Sequence, residues 1–130
     1  MTRRLTRVVL TLALALPGGC APPTQVIDLR DVSPAERVVI ADMPIVPLGV
    51  APPQGLGSVA PVTGFGCGNS RKAAHDRAVQ QLRIKALQLR ATTVIDVLVQ
   101  PSDSHVCLFD YGALAHGVAA APWATTPPTY

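Results

Sequence analysis

Apolar positions along this chain follow three rhythms. Residues 8–16, "VVLTLALAL", are almost unbroken. Over residues 21–37, "APPTQVIDLRDVSPAER", no period is sustained and prolines recur, so the stretch reads as a tether. Prolines continue at Pro44, Pro47, Pro52, Pro53 and Pro61, which confines strands in this half to short or edge pieces. "RVVIAD", residues 37–42, is expected as a first strand. "GLGSVAPV", residues 55–62, is expected as a second, irregular around Gly57 and Pro61. The spacing then becomes helical. Ala78, Val79, Leu82, Ala86 and Leu89 share one face of a helix predicted over residues 70–90, with Asn69 or Ser70 as its N-cap. His75 falls toward that face, and Ile84 and Leu87 lie off it, which predicts contact on a second side. "TTVIDVLVQ", residues 92–100, is β-branched and nearly continuously apolar, the pattern of a buried strand. After the turn "PSDS", "HVCLFDYGALA" at residues 105–115 supplies a fourth strand, and "PWATTPPTY" from Pro122 has too many prolines to extend it. The order predicts an α+β fold: a small four-stranded sheet with one main helix packed on it.

Charge changes this picture only at the N-terminus. The 130-residue chain has a formal charge of +3, with 11 basic and 8 acidic residues, and removing Arg3, Arg4 and Arg7 leaves 8 of each. A nucleic-acid binder shows a clustered basic surplus with stacking aromatics. The remainder has neither, which excludes nucleic acid as a partner. The three arginines, the nine-residue apolar run and Gly18-Gly19 have the layout of an export signal over residues 1–19. Nine residues cannot span a bilayer, which needs about 20. Cys20, at the end of the signal, is open to two readings. The stretch resembles a bacterial lipobox, with Pro17 where leucine is usual, and acylated Cys20 would then be the first mature residue. Ordinary cleavage after Ala21 is the other. On the lipobox reading, the absence of aspartate at Ala21 directs the anchor to the outer membrane.

Three cysteines leave one odd thiol in an exported protein. With Cys20 on lipid, Cys67 and Cys107 remain as a disulfide pair. That bond would add about 4 kcal/mol to a small fold on the chain-entropy model. No catalytic constellation assembles: the acids are scattered, with no pair on a shared helical face. The glycines around Cys67 lack the Gly-Lys-Ser/Thr ending of a phosphate loop, and a close helix–strand approach or a tight turn accounts for them. A Cys₂His₂ metal site from Cys67, Cys107, His105 and His116 has no ligand-pair spacing to support it. A reactive Cys67 near a helix N-terminus lacks a resolving cysteine nearby. The expectation is therefore no catalytic residue, no metal and no cofactor.

Three short motifs then occur in order. "LGSV" (residues 56–59) precedes "GFGC" (64–67); "QLRIKALQLRATTV" spans 81–94; and Cys107 is followed by "HGVA" (116–119). They resemble the RcsF-like family of outer-membrane stress-sensor lipoproteins, with Leu82, Ile84, Ala86, Leu89, Arg90, Ala91 and Val94 matching the family's helix-end pattern. RcsF-like proteins carry two disulfides. Here Val99 and the region 111–115 hold the positions of the second pair, and three extra residues separate the first two motifs. The resemblance implies a non-enzymatic module, lipid-anchored in the outer membrane through Cys20. Its domain, residues 38–121, would meet outer-membrane barrel proteins and an inner-membrane regulator, joined to the lipid by a tether over residues 20–37 and followed by a tail over 122–130. Lys72, Arg83 and Arg90, on one stripe beside Asp76, are the candidate partner contact, against the reading of a solvated helix face. The alternative is a structural or small-ligand-binding envelope lipoprotein that shares only the fold.

Overall fold

The computed structural model describes residues 26–102, 107–108 and 111–123. The expected export signal, Cys20, His105 and the tail beyond Trp123 lie outside these residues. Among the described residues, two α-helices and four strands follow one another as α1 (Pro34–Asp42), β1 (Ile45–Pro47), β2 (Leu56–Gly68), α2 (Arg71–Gln88), β3 (Thr93–Ser102) and β4 (Tyr111–Pro122). The sheet order is β1-β3-β4-β2. β1 runs parallel to β3, and β4 is antiparallel to both its neighbours. The fold is α+β, with α2 laid across one face of the four-stranded sheet.

The expected first strand is a helix. Residues 37–42 belong to α1, because the local signal upstream outweighs the β-branched run. Ser33 accepts a hydrogen bond from the Glu36 N–H at 3.2 Å, Glu36 reaches back to the Ser33 N–H at 3.3 Å, and Pro34 occupies the first turn. That capping box, with proline pre-set for helical φ, fixes the start. A short 3-10 turn, Leu29–Asp31, precedes it, so the stretch read as tether contains regular structure in its second half. α1 buries only Ile40, while Val38 and Val39 are 62% and 49% exposed. The first strand is instead β1, a three-residue piece that follows Pro44 and ends on Pro47.

α2 begins where expected: the Ser70 hydroxyl accepts from the Ala73 N–H at 3.0 Å. Ala74, Ala78, Leu82 and Ala86 form the row that faces the sheet, packed with Val94, Val97, Ala113, Ala115 and Ala119. Ile84 is also buried, on the flank that meets Ile27, Val32 and Ile40. The second-side contact anticipated for Ile84 is thus made by α1 and the segment before it. Leu89, expected on the core face, is 41% exposed because the helix has already ended there. The Arg90 N–H donates to Leu87 at 2.8 Å and the Ala91 N–H to Ala86 at 2.9 Å. This is a Schellman turn, with Arg90 at φ 61° in the left-handed position usually held by glycine.

The glycines of "GFGCG" set how α2 sits. A Cβ on Gly66 would lie 2.5 Å from the Ala78 nitrogen and 2.7 Å from the Ala74 carbonyl oxygen. One on Gly68 would lie 2.6 Å from the Ala74 nitrogen, and one on Gly64 would meet the Ala78 carbonyl oxygen. Alternate residues of β2 therefore present no side chain, and the helix backbone rests directly on the strand. β2 accordingly runs on through Gly68, well past the expected end at Val62. β3 is a strand as expected, but it bulges between Ile95 and Leu98, where Asp96 adopts φ 54°. β4, Tyr111–Pro122, runs past the expected end at residue 115 and pairs as far as Pro122 opposite Leu56; residues 105, 106, 109 and 110 of the expected strand lie outside the described residues.

Candidate functional site

The Cys67 and Cys107 sulfurs are bonded, with Cα atoms 5.5 Å apart. β-Sheet alternation puts Gly64, Gly66 and Gly68 under α2, so Phe65 and Cys67 point to the opposite face. The disulfide is on that face. A Cβ on Gly112 would approach the Cys107 sulfur at 3.2 Å and the Phe65 ring at 3.5 Å, so the disulfide, Gly112 and the buried Phe65 ring lie close together on this face. Both sulfurs being spent in this bond, neither serves as a thiolate ligand or a free nucleophile. Among the described residues, no three of His, Cys, Asp and Glu converge. His116 is exposed, on the sheet face away from α2.

The three basic residues of the expected contact stripe have different surroundings. Lys72 pairs with Asp76 at 2.7 Å, both exposed. That hydrogen bond, with a smaller one from His75, holds the Asp76 carboxyl below the usual carboxylate range. Arg83 is half-buried, and its Nε donates to the Met43 carbonyl at 2.9 Å. Arg90 lies beyond the helix, in the left-handed turn. His75, expected toward the core face, instead has a side chain 54% exposed, 3.4 Å from Asp76. The difference is angular: the tight seat on β2 rotates α2 so that Ala74 and Ala78, rather than His75, face inward.

α2 also makes polar contacts that periodicity does not reveal. Gln81, only 5% exposed, exchanges two hydrogen bonds with the backbone of Ile27: Ile27 N–H to Oε1 and Nε2 to the Ile27 carbonyl, each 2.8 Å. The side-chain amide thereby acts as one rung of a ladder and clamps the incoming chain to the helix. One turn to either side, Arg77 donates to the Cys67 carbonyl at 2.7 Å and Lys85 to the Thr63 carbonyl at 2.6 Å. Burial lowers the Lys85 pKa. The row Arg77–Gln81–Lys85 thus guards the outer edge of β2, where Pro61 has no N–H to offer. A polar residue at helical spacing between two cations was the only signal of this in the sequence.

On the other flank, α2's displacement toward β2 leaves β3 and β1 less covered. A groove of about 440 Å³ opens there, lined by Ile45, Pro47, Val79, Arg83, Val97 and Val99, with His75 and Asp76 on its rim. No helix among the described residues is long and apolar enough to cross a membrane. No family model matches the chain, and no curated protein matches it.

Proposed function

We propose that this protein is a lipid-anchored envelope module that works through protein–protein contacts rather than catalysis. The observation that carries the reading is the pairing of Cys67 with Cys107. It leaves Cys20 as the single odd cysteine, directly behind an export-type apolar run. In a compartment where disulfides persist, an odd exposed thiol is a liability, and acylation removes it. The RcsF-like motifs support a sensor role of the same kind: lipid at one end, a reach set by the segment after it, and a disulfide-braced domain that presents its surface to barrel proteins or an inner-membrane regulator. Lys72 and Arg90, both exposed, are the residues of the basic stripe most open to such contact.

The test is metabolic labelling with a fatty acid followed by membrane separation. The wild-type chain is expected to take up label and float with outer membranes, and Cys20→Ala to lose both. A wild-type chain that stays unlabelled, or one that fractionates with soluble periplasmic proteins, refutes the anchor.

A further inference from the structure

The two long sides of the sheet are protected unequally. On the β2 side, the Thr63 and Cys67 carbonyls are occupied by Lys85 and Arg77, and Pro61 stands at another outward position of the same parity. On the other side, β1 covers β3 only as far as Val97, where Pro47 is its partner. The Leu48 N–H donates to the Val97 carbonyl at 2.9 Å, so the backbone groups of Val97 face away from β4. Alternation then turns the N–H and C=O of Val99, and the C=O of Pro101, the same way. Pro101 fits this parity, since proline costs no ladder bond at an outward position. No described strand lies beside residues 98–102. Among the described residues this edge is unpaired, and an unpaired edge is a template for another extended chain.

This open edge forms one wall of the α2–β3 groove. Val79 of α2 and Val97 and Val99 of β3 provide apolar contact. Asp76 is already neutralised by Lys72 at 2.7 Å. Arg83 is not: its one hydrogen bond among the described residues is the 2.9 Å contact from Nε to the Met43 carbonyl, and no described carboxylate pairs with it. That bond fixes the guanidinium in the groove and leaves its terminal N–H donors for a ligand. The charge complement is an anion, and the planar fork suits a carboxylate.

We infer that residues 98–102 of β3 and the face of α2 bearing Val79 and Arg83 form a strand-addition site. Its occupant is an extended segment of a partner protein that carries an acidic side chain. Backbone pairing to Val99 and Pro101 supplies affinity, alternate side chains enter the apolar groove, and the acid reaches Arg83. The site deepens the interaction-module reading and rests on it, but it is independent of lipid at Cys20.

The experiment is selection of a random decapeptide library against the disulfide-intact full chain in detergent, followed by amide chemical shifts with the enriched peptides. Enriched sequences are expected to carry aspartate or glutamate among β-branched residues and to shift Val99 and Arg83. Methylating the peptide nitrogens that face Val99 should abolish binding, while methylating the intervening nitrogens leaves it. Arg83→Gln should weaken binding about tenfold or more, and Arg83→Lys less, because a charge remains. Absence of enrichment overturns the proposal. So do shifts confined to the open sheet face around His116, or dimerisation of the chain through this edge, which would make a second copy the occupant. Repeating the selection with Cys20→Ser separates the two claims: unchanged peptide binding without label uptake in the wild type would refute the anchor and keep the groove.

Discussion

Replacing Gly66 with alanine tests the idea that the glycine-rich stretch exists to seat a helix. The new methyl group would lie 2.5 Å from the Ala78 nitrogen, 2.7 Å from the Ala74 carbonyl oxygen and 2.8 Å from the Arg77 Cβ. Carbon prefers about 3.5–4 Å from such neighbours, so α2 or β2 must move by roughly 1 Å along a whole turn. The two nearest atoms are helix backbone and cannot rotate away. Overpacking costs about 1–3 kcal/mol, and rigid neighbours place Gly66→Ala at the upper end. Reduced freedom of the unfolded chain returns about 0.4–1 kcal/mol, and Gly66 has no positive φ to add strain. The net loss is about 2 kcal/mol, from a total of about 5–15. Urea unfolding with the disulfide intact reads it directly. At an m of about 1 kcal/mol/M, the midpoint falls by about 2 M. Gly57→Ala is the control, since its methyl would sit at ordinary contact, 3.4 Å from the Trp123 ring, and it should change stability by less than about 0.5 kcal/mol. Equal midpoints for the two variants would refute the reasoning.

Other consequences are as specific. Cys67→Ser with Cys107→Ser opens a link across 40 residues and should cost about 4 kcal/mol, seen as a melting temperature that falls on reduction in the wild type and not in the double variant. Gln81→Ala should cost about 1–2 kcal/mol and speed hydrogen exchange at the Ile27 amide, with Gln81→Glu behaving alike because a carboxylate cannot donate to the Ile27 carbonyl. Arg90→Gly relieves a left-handed arginine and should add about 1 kcal/mol, raising the melting temperature by a few degrees. Asp28, whose pKa is lowered to about 2 chiefly by the side-chain hydrogen bond from Arg30, contributes stability that is present above its unfolded value of 3.8 and lost as pH falls toward 2. A pH titration of stability should therefore flatten in that window in Asp28→Asn.

What the sequence made legible was what local rules decide. Ser70 and the Ala78–Leu82–Ala86 spacing define α2 without help from the rest of the chain, and the Cys67–Cys107 pairing follows from counting. The glycines of β2 were legible as a close approach, though not as a strand, because glycine has little β propensity and only pairing with β4 makes it extended. α1 was misread because "RVVI" is β-branched, while its real determinant, Ser33-Pro34-Ala35-Glu36, lies upstream of the apolar run. β1 is held by β3 from 50 residues away in sequence, which no local pattern could announce. The partner in the Gln81 clamp was invisible for a similar reason: it is the backbone of Ile27, which carries no sequence signature.

The central claim is an anchored, disulfide-braced module, and intact mass of the membrane-extracted protein, before and after reduction and alkylation, tests it most directly. The account predicts a chain starting at Cys20 that carries diacylglyceryl and acyl additions, with no alkylation until reduction and two alkyl groups afterwards. An unlipidated species with two thiols already reactive would contradict both the anchor and the brace.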